Sequence, residues 1–382
     1  MTWGLYLHVP WCRRRCPYCA FYVEAAHDVP WDDFADALLA EYALRTDSVA
    51  GLPHTVFFGG GTPSRMPAPV LARILAGIER APGTEVTAEC NPEDCTQEWV
   101  DGAIAAGITR VSLGMQTFQP AFARLLNRAC SVPDARQTAE RVATSGFTSW
   151  SVDLMFALPN QTLEQLDADL DAIEAIGVPH VSLYGLTYEP GTPFTRARDN
   201  GTFTEATDDL WRDMYDHIVK RLRNMGLQRY EVSNFAKPGH RSAHNQLYWS
   251  DKPYLGIGPS AHGYLPTGER YHNAPNVTVY LQGGDPTELR ESPNAEQAAT
   301  DALVSGLRGV EGIDLAALAH RHGIEPQSAA VDRLQREGLI HRDNSRIALT
   351  DAGFPVCDAI CGHLSDRLVP VGGPSKGPRT TT

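Results

Sequence analysis

Residues 5–21 read LYLHVPWCRRRCPYCAF: an apolar run, Leu5–Val9, then Cys12, Cys16 and Cys19 in a CxxxCxxC array. The run has the length and composition of a buried strand, so the thiols sit just past a strand's C-terminal end. Closely spaced thiolates on one loop can wrap an iron–sulfur cluster. Structural zinc wants four ligands, and no further Cys or His follows nearby. His8, just upstream, stays open as a fourth zinc ligand at this stage. Three ligands on a cubane leave one iron free for a small molecule. Arg13, Arg14 and Arg15 between the ligands offset the charge of thiolates and cluster, or form a solvated basic turn.

Outward from this loop, apolar runs alternate with amphipathic helical stretches. The runs are Thr55–Phe58, Glu85–Ala88, Arg110–Met115, Ser151–Phe156 and His180–Leu186. Helical periodicity marks Trp31–Arg45, Val70–Arg80, Gln137–Thr144 and Leu163–Ile176. Strand alternating with helix predicts βαβ units and a parallel sheet. The fold class expected is α/β, an incomplete (β/α)6 TIM-like barrel over residues 1–200, with its chemistry at the C-terminal strand ends. Residues 201–285 are expected to complete it: a long helix over Glu205–Met225, an irregular aromatic and Gly-rich stretch over Tyr230–Tyr264, and a linker at Gly283–Pro286. Over 290–365, helices at Ala295–Gly309, Leu315–His322 and Ser328–Glu337 precede a hairpin (Gly338–Ile340, Arg346–Leu349), predicting a winged-helix-like α+β module without a basic recognition helix. The Gly/Pro/Thr-rich tail, 369–382, is expected to be disordered.

Composition narrows the function. The chain has 382 residues, 33 Lys+Arg against 46 Asp+Glu and a formal charge of −13. That argues against a general nucleic-acid binder, which needs a basic face. No apolar run spans a bilayer and the first residues are not a secretory signal, so a cytoplasmic location is expected, with peripheral membrane association allowed. The remaining five of eight Cys are scattered and read as ordinary thiols.

Polar residues stand near successive strand ends: Gly59-Gly60-Gly61-Thr62, Glu89, Gln116, Arg128 and Asp153. Packing or capping accounts for any one of them; the series is harder to explain that way. With the CxxxCxxC array, they give the chain its resemblance to the radical S-adenosylmethionine (SAM) superfamily. The segments FFGGGTPS, EVTAECNPE, ITRVSLGMQTF, VDLMFALPNQT and HVSLYGLTYEPGT resemble the HemN/HemW branch, and LVSGLRGVEGIDL, VDRLQREGLI and LTDAG resemble that branch's C-terminal domain. The resemblance implies a [4Fe–4S] cluster on Cys12, Cys16 and Cys19 and Tyr6 packed beside it. It also implies SAM contacts from Gly60, Gly61, Thr62, Glu89, Gln116, Arg128 and Asp153.

Two details discriminate within the branch. Oxygen-independent coproporphyrinogen III oxidases carry a further Cys two residues past the third ligand, where this chain has Phe21. His244-Asn245-Gln246-Leu247-Tyr248-Trp249 is similar to the HNxxYW signature of the heme chaperones. That resemblance implies heme as cargo near His244, heme-accepting membrane proteins such as a respiratory oxidase or reductase as recipients, and a cluster that supports transfer or homodimerisation. Residue types alone also accommodate a core His and a core Trp here; His240, His262 and His272 are weaker candidates. A HemN-like methyltransferase or a coproporphyrinogen oxidase are the enzyme alternatives. The chain departs from the chaperone pattern at Ala20 (usually Asp), Cys130 (usually His) and Ala157 (usually Gly).

Overall fold

The computed structural model describes residues 2–372. Its centre is a twelve-stranded sheet. The strands, in chain order, are β1 (Gly4–Val9), β2 (Thr55–Gly60), β3 (Glu85–Cys90), β4 (Arg110–Gln116), β5 (Ser149–Phe156), β6 (His180–Gly185), β7 (Gln228–Arg229), β8 (Asn234–Ala236), β9 (Tyr254–Ile257), β10 (His262–Tyr264), β11 (Arg270–Asn273) and β12 (Thr287–Glu291). The sheet order is β12-β11-β10-β9-β1-β2-β3-β4-β5-β6-β8-β7. β1 to β6 pair in parallel, in sequence order, as the alternation predicts.

One parallel strand escaped the sequence reading. β9 lies inside the supposedly irregular stretch and pairs in parallel with β1, Gly4 facing Tyr254 and Leu7 facing Ile257. The parallel core therefore has seven strands, not six. β10 to β12 extend that edge antiparallel, and β8 and β7 extend the other.

Helix limits follow from end chemistry. Leu163–Ile176 starts with a reciprocal Thr162–Gln165 capping box and stops at Gly177, whose φ of 75° is the left-handed C-cap that glycine tolerates. Asp208–Asn224 is capped by Thr207, with Asp208 and Asp209 in its first turn and Arg221 and Arg223 in its last, each favourable to the helix dipole. Leu5, Leu7 and Val9 are fully buried against the helices, while the intervening Tyr6 and His8 point to the barrel interior, as strand alternation requires.

A buried ionic network fixes the β10–β12 extension to the first helix, Trp31–Arg45. Glu41 accepts from Arg45 (2.6 Å), Asn273 (2.7 Å), Tyr280 (2.8 Å) and the Gly258 N–H (2.8 Å). Arg45 in turn donates to Asn273 (2.7 Å) and lies 4.0 Å over the Tyr271 ring.

The C-terminal module has helices Ala295–Arg308, Leu315–His322, Ser328–Arg336 and Cys357–Ser365. A three-stranded antiparallel sheet, ordered Ile313–Asp314, Arg346–Leu349, Ile340–Asp343, supplies the wing. The expected disorder of the tail is corrected at its start: Leu368–Pro370 pairs antiparallel with Ile324–Pro326. The rest of that expectation, residues 373–382, lies outside the described residues. No helix among the described residues is long and apolar enough to cross a membrane.

Two stability changes follow. Glu41→Ala strands the Arg45 charge inside the protein and should cost about 3–5 kcal/mol in urea unfolding; a loss below ~1 kcal/mol would show the network to be dispensable. Ala157 holds a φ of +55° while buried, a conformation that disfavours any Cβ. Ala157→Gly should therefore stabilise by roughly 0.5–1 kcal/mol, and a lower unfolding midpoint would contradict this.

Candidate functional site

The mouth of the barrel is built where two backbone segments touch. Gly61 N–H donates to the Val9 carbonyl (2.8 Å) and Thr62 N–H to that of Trp11 (3.0 Å). A Cβ on Gly60 would lie 2.4 Å from the His8 ring, and one on Gly61 would lie 2.7 Å from Val9 O. Only glycine fits, and Gly60 also takes a φ of 102°. The contact brings the buried Thr62 hydroxyl to Cys12 Sγ at 3.4 Å.

Asn91, which the sequence reading quoted in ECNPE without assigning it a role, joins the pieces. Its Nδ2 donates to Thr62 Oγ1 (3.0 Å) and its Oδ1 accepts from Arg128 (2.7 Å). Arg128 also donates to the Gly114 carbonyl (2.6 Å) and points a second nitrogen at Cys16 Sγ (3.7 Å). Arg13 holds the cysteine loop to Asp94 at 2.5 Å. Arg14 and Arg15 are exposed.

The expected carboxylates converge on the same mouth. Glu89 accepts from the Gly60 N–H at 3.1 Å. Burial, reinforced by Asp153, pushes its carboxyl up to about 8, against the pull of that N–H. Burial also raises Asp153, although Ser182 and Ser112 bond to it, Ser112 at 2.9 Å. Gln116 ends β4 at a register shift with a φ of 68°, backbone strain of the kind that concentrates at functional sites. Tyr6 lies deeper: its hydroxyl meets His8 Nδ1 at 3.1 Å and its ring stacks on Phe57.

His8 is not available as a fourth metal ligand. It is 5 % exposed, and its Nε2 lies 3.0 Å from the Tyr22 carbonyl, an acceptor only. Nε2 therefore carries the proton, and Nδ1 accepts from Tyr6. Burial pushes the ring down to about 4 and keeps it neutral.

The donor set fits a cluster. Three thiols share one loop, with Thr62 and Arg128 directed at two of the sulfurs. Among the described residues no group of three or more His, Cys, Asp or Glu is gathered as around a single metal ion; in a cubane each thiolate meets its own iron, so the sulfurs need not converge. Burial raises the Cys12 thiol to about 11, against the Thr62 hydroxyl, and metal binding must displace that proton. When bound, cluster and SAM supply radical or electron-transfer chemistry. Glu89, Gln116, Arg128 and Asp153 stand around the same mouth as the three thiols.

His244 is not among these groups. It lies at the opposite, N-terminal end of the strands, beside Gly4 and Thr55. Its helix, Ala243–Trp249, is anchored by Glu85, which accepts from the Ala243 and His244 N–H groups at 3.2 and 3.1 Å. The imidazole is 0 % exposed, stacked on Phe57 at 4.9 Å, with Nδ1 2.7 Å from Thr55 Oγ1 and Nε2 2.8 Å from Tyr248 OH. Burial pushes it down to about 3. So placed, His244 closes the barrel floor, with both nitrogens engaged by Thr55 and Tyr248 in this structure.

Residues 6–173 match the radical SAM superfamily, and residues 294–356 match the HemN C-terminal domain. The chain is 33 % identical to the heme chaperone HemW of Lactococcus lactis, covering 91 % of this chain and 93 % of that one. It is 31 % identical to HemW of Bacillus subtilis, covering 95 % and 99 %. The chain belongs to the HemW family. Among solved structures, coproporphyrinogen III oxidase (HemN) from Escherichia coli superposes with a TM-score of 0.81 at 21 % identity, over 95 % of this chain and 90 % of that one. That likeness concerns the fold. Radical SAM membership implies a [4Fe–4S] cluster and SAM.

Glu89 gives a pH signature. In the folded chain its carboxyl titrates near 8 rather than at its ordinary 4.5. The folded state thus binds this proton more tightly, and the associated stability, full below the unfolded value, is lost as pH rises toward 8. Glu89→Gln should flatten the fall in unfolding free energy of the cluster-free chain between about pH 5 and 8. An unchanged slope in urea titrations would assign the pH dependence elsewhere.

Proposed function

We propose that this chain is a heme chaperone that binds one [4Fe–4S] cluster on Cys12, Cys16 and Cys19, places SAM at the open iron, and delivers heme to heme-dependent membrane proteins. The observation that carries the reading is likeness to heme chaperones along nearly the whole chain, joined to a barrel mouth in which Thr62, Asn91 and Arg128 bridge the cysteine loop. Glu89 and Asp153 serve the ribose hydroxyls of SAM, and Arg128 its carboxylate. Arg128 fits that role because it is half-buried and already oriented by Asn91 and Gly114, so little side-chain entropy is lost on binding. Phe21, 69 % exposed beside the cysteine loop, leaves no thiol where the oxidases have one, which favours the chaperone over the oxidase.

Anaerobic reconstitution tests the cluster: iron and sulfide should bind to the wild-type chain and fall to background in Cys16→Ala. Titration with hemin, followed in the Soret band, tests the cargo. Saturable binding is expected. Unsaturable, non-specific uptake together with release of 5′-deoxyadenosine and a methylated or decarboxylated product would replace the chaperone by an enzyme.

A further inference from the structure

The buried face of the helix Leu163–Ile176 carries a carboxyl among its apolar residues. Asp169 is 1 % exposed and shares that face with Leu166, Leu170 and Ile173. Packing alone calls for an apolar residue at such a position, and a carboxylate there is costly unless hydrogen bonds hold it. Its partners are three consecutive residues of one turn. Oδ1 accepts from the Phe118 N–H at 2.7 Å and Oδ2 from the Thr117 hydroxyl at 3.0 Å. The Gln119 side chain bonds to the same carboxyl. Burial raises that carboxyl to about 6, against the pull of these bonds.

The turn it grips stands between two residues of the barrel mouth. Gln116, one position before Thr117, ends β4 at a register shift with a φ of 68°. That left-handed conformation costs about 1–2 kcal/mol where a Cβ is present and persists only where the surroundings hold it. Thr117 and Phe118 are themselves buried. Beyond them, the Gln119 N–H donates to Thr117 Oγ1 (3.0 Å), and the Gln119 carbonyl accepts from the Ala123 N–H (2.9 Å) at the start of the short helix Pro120–Leu125. The Arg128 N–H then returns to the Ala123 carbonyl (2.9 Å). A single carboxyl on a covering helix is thus linked to Gln116 on one side of the turn and to Arg128 on the other.

We propose that Asp169 is a positioning residue for SAM: by gripping Thr117–Gln119 it holds Gln116 in its strained conformation and sets the start of the segment that carries Arg128. The inference rests on the reading that Gln116 and Arg128 contact SAM, and adds a residue outside the mouth on which both depend. Asp169 touches no ligand. Its part is to remove, before binding, disorder that binding would otherwise have to overcome.

The test is SAM binding to the cluster-reconstituted full chain, by anaerobic equilibrium dialysis, together with amide hydrogen exchange of the cluster-free chain. Asp169→Ala should bind SAM at least about tenfold more weakly, a ΔΔG of ~1.4 kcal/mol, with iron and sulfide at the wild-type level. Asp169→Asn keeps an acceptor for the Phe118 N–H and should stay within about threefold of wild type. In a Gln116→Ala background, Asp169→Ala should cost less than it does alone, a non-additivity that general loosening of the fold does not produce. The Phe118 amide should exchange faster in Asp169→Ala while the amides of Leu163–Ile176 keep their protection. Wild-type SAM affinity in Asp169→Ala, or a loss that Gln116→Ala leaves unchanged, overturns the inference and leaves the SAM reading standing. If Asp169→Ala fails to fold, by circular dichroism, Thr117→Val, which removes the hydroxyl bond to the carboxyl, decides on the same readouts. If the wild-type chain binds no SAM, the reading and the inference fall together.

Discussion

The close passage of Gly60-Gly61-Thr62 across the end of β1 is the constraint on which the site depends. A Cβ at either glycine would collide with His8 or with the Val9 carbonyl. Because none is there, the second βα turn bonds directly to Val9 and Trp11. That backbone contact, rather than any side chain, sets where Cys12 emerges and why Thr62 reaches its sulfur. Asn91 and Arg128 then extend the same frame to Cys16. The cysteine loop is thereby held from two sides before any iron arrives, which lowers the ordering entropy that binding must overcome.

The mouth also gathers groups that are costly to bury. Glu89 and Asp153 lie within each other's field, and burial raises both. Without ligand, the cheaper state is to keep a proton on Glu89. A ligand that brings hydroxyl donors and positive charge would offset that penalty; SAM, proposed above for this mouth, carries a sulfonium, an amino group and a ribose.

Much of this was legible in the sequence, for reasons that can be named. Trp31–Arg45, Leu163–Ile176 and Leu315–His322 have the limits that periodicity predicts, the latter two ending at left-handed glycines. The first six parallel strands announced themselves as apolar runs because their sheet is covered by helices. β9 did not: YLGI is four residues long and is followed by Gly and Pro, so its place beside β1 comes from tertiary pairing alone. Asn91 was hidden because an Asn beside Pro reads as a turn, and only the fold brings Thr62 and Arg128 to it. The surroundings of His244 were hidden for a different reason: residue type reveals a nitrogen donor, but not that Thr55 and Tyr248 lie at its two nitrogens.

The two ends of the barrel are joined by an unbroken column of rings. His8 meets Tyr6, Tyr6 stacks on Phe57, Phe57 on His244, and His244 meets Tyr248 edge-on. Contact of this kind invites the idea of a wire between cluster and floor. The hydrogen bonds argue otherwise. Tyr6, both nitrogens of His8 and both nitrogens of His244 are engaged, and His8 and His244 are buried. Coupling between sites requires a two-state element, and the column is seen in one arrangement with its hydrogen bonds satisfied. The column is a strut: it fixes the distance between the mouth, where the cluster residues are, and the helix whose outer face carries Trp249.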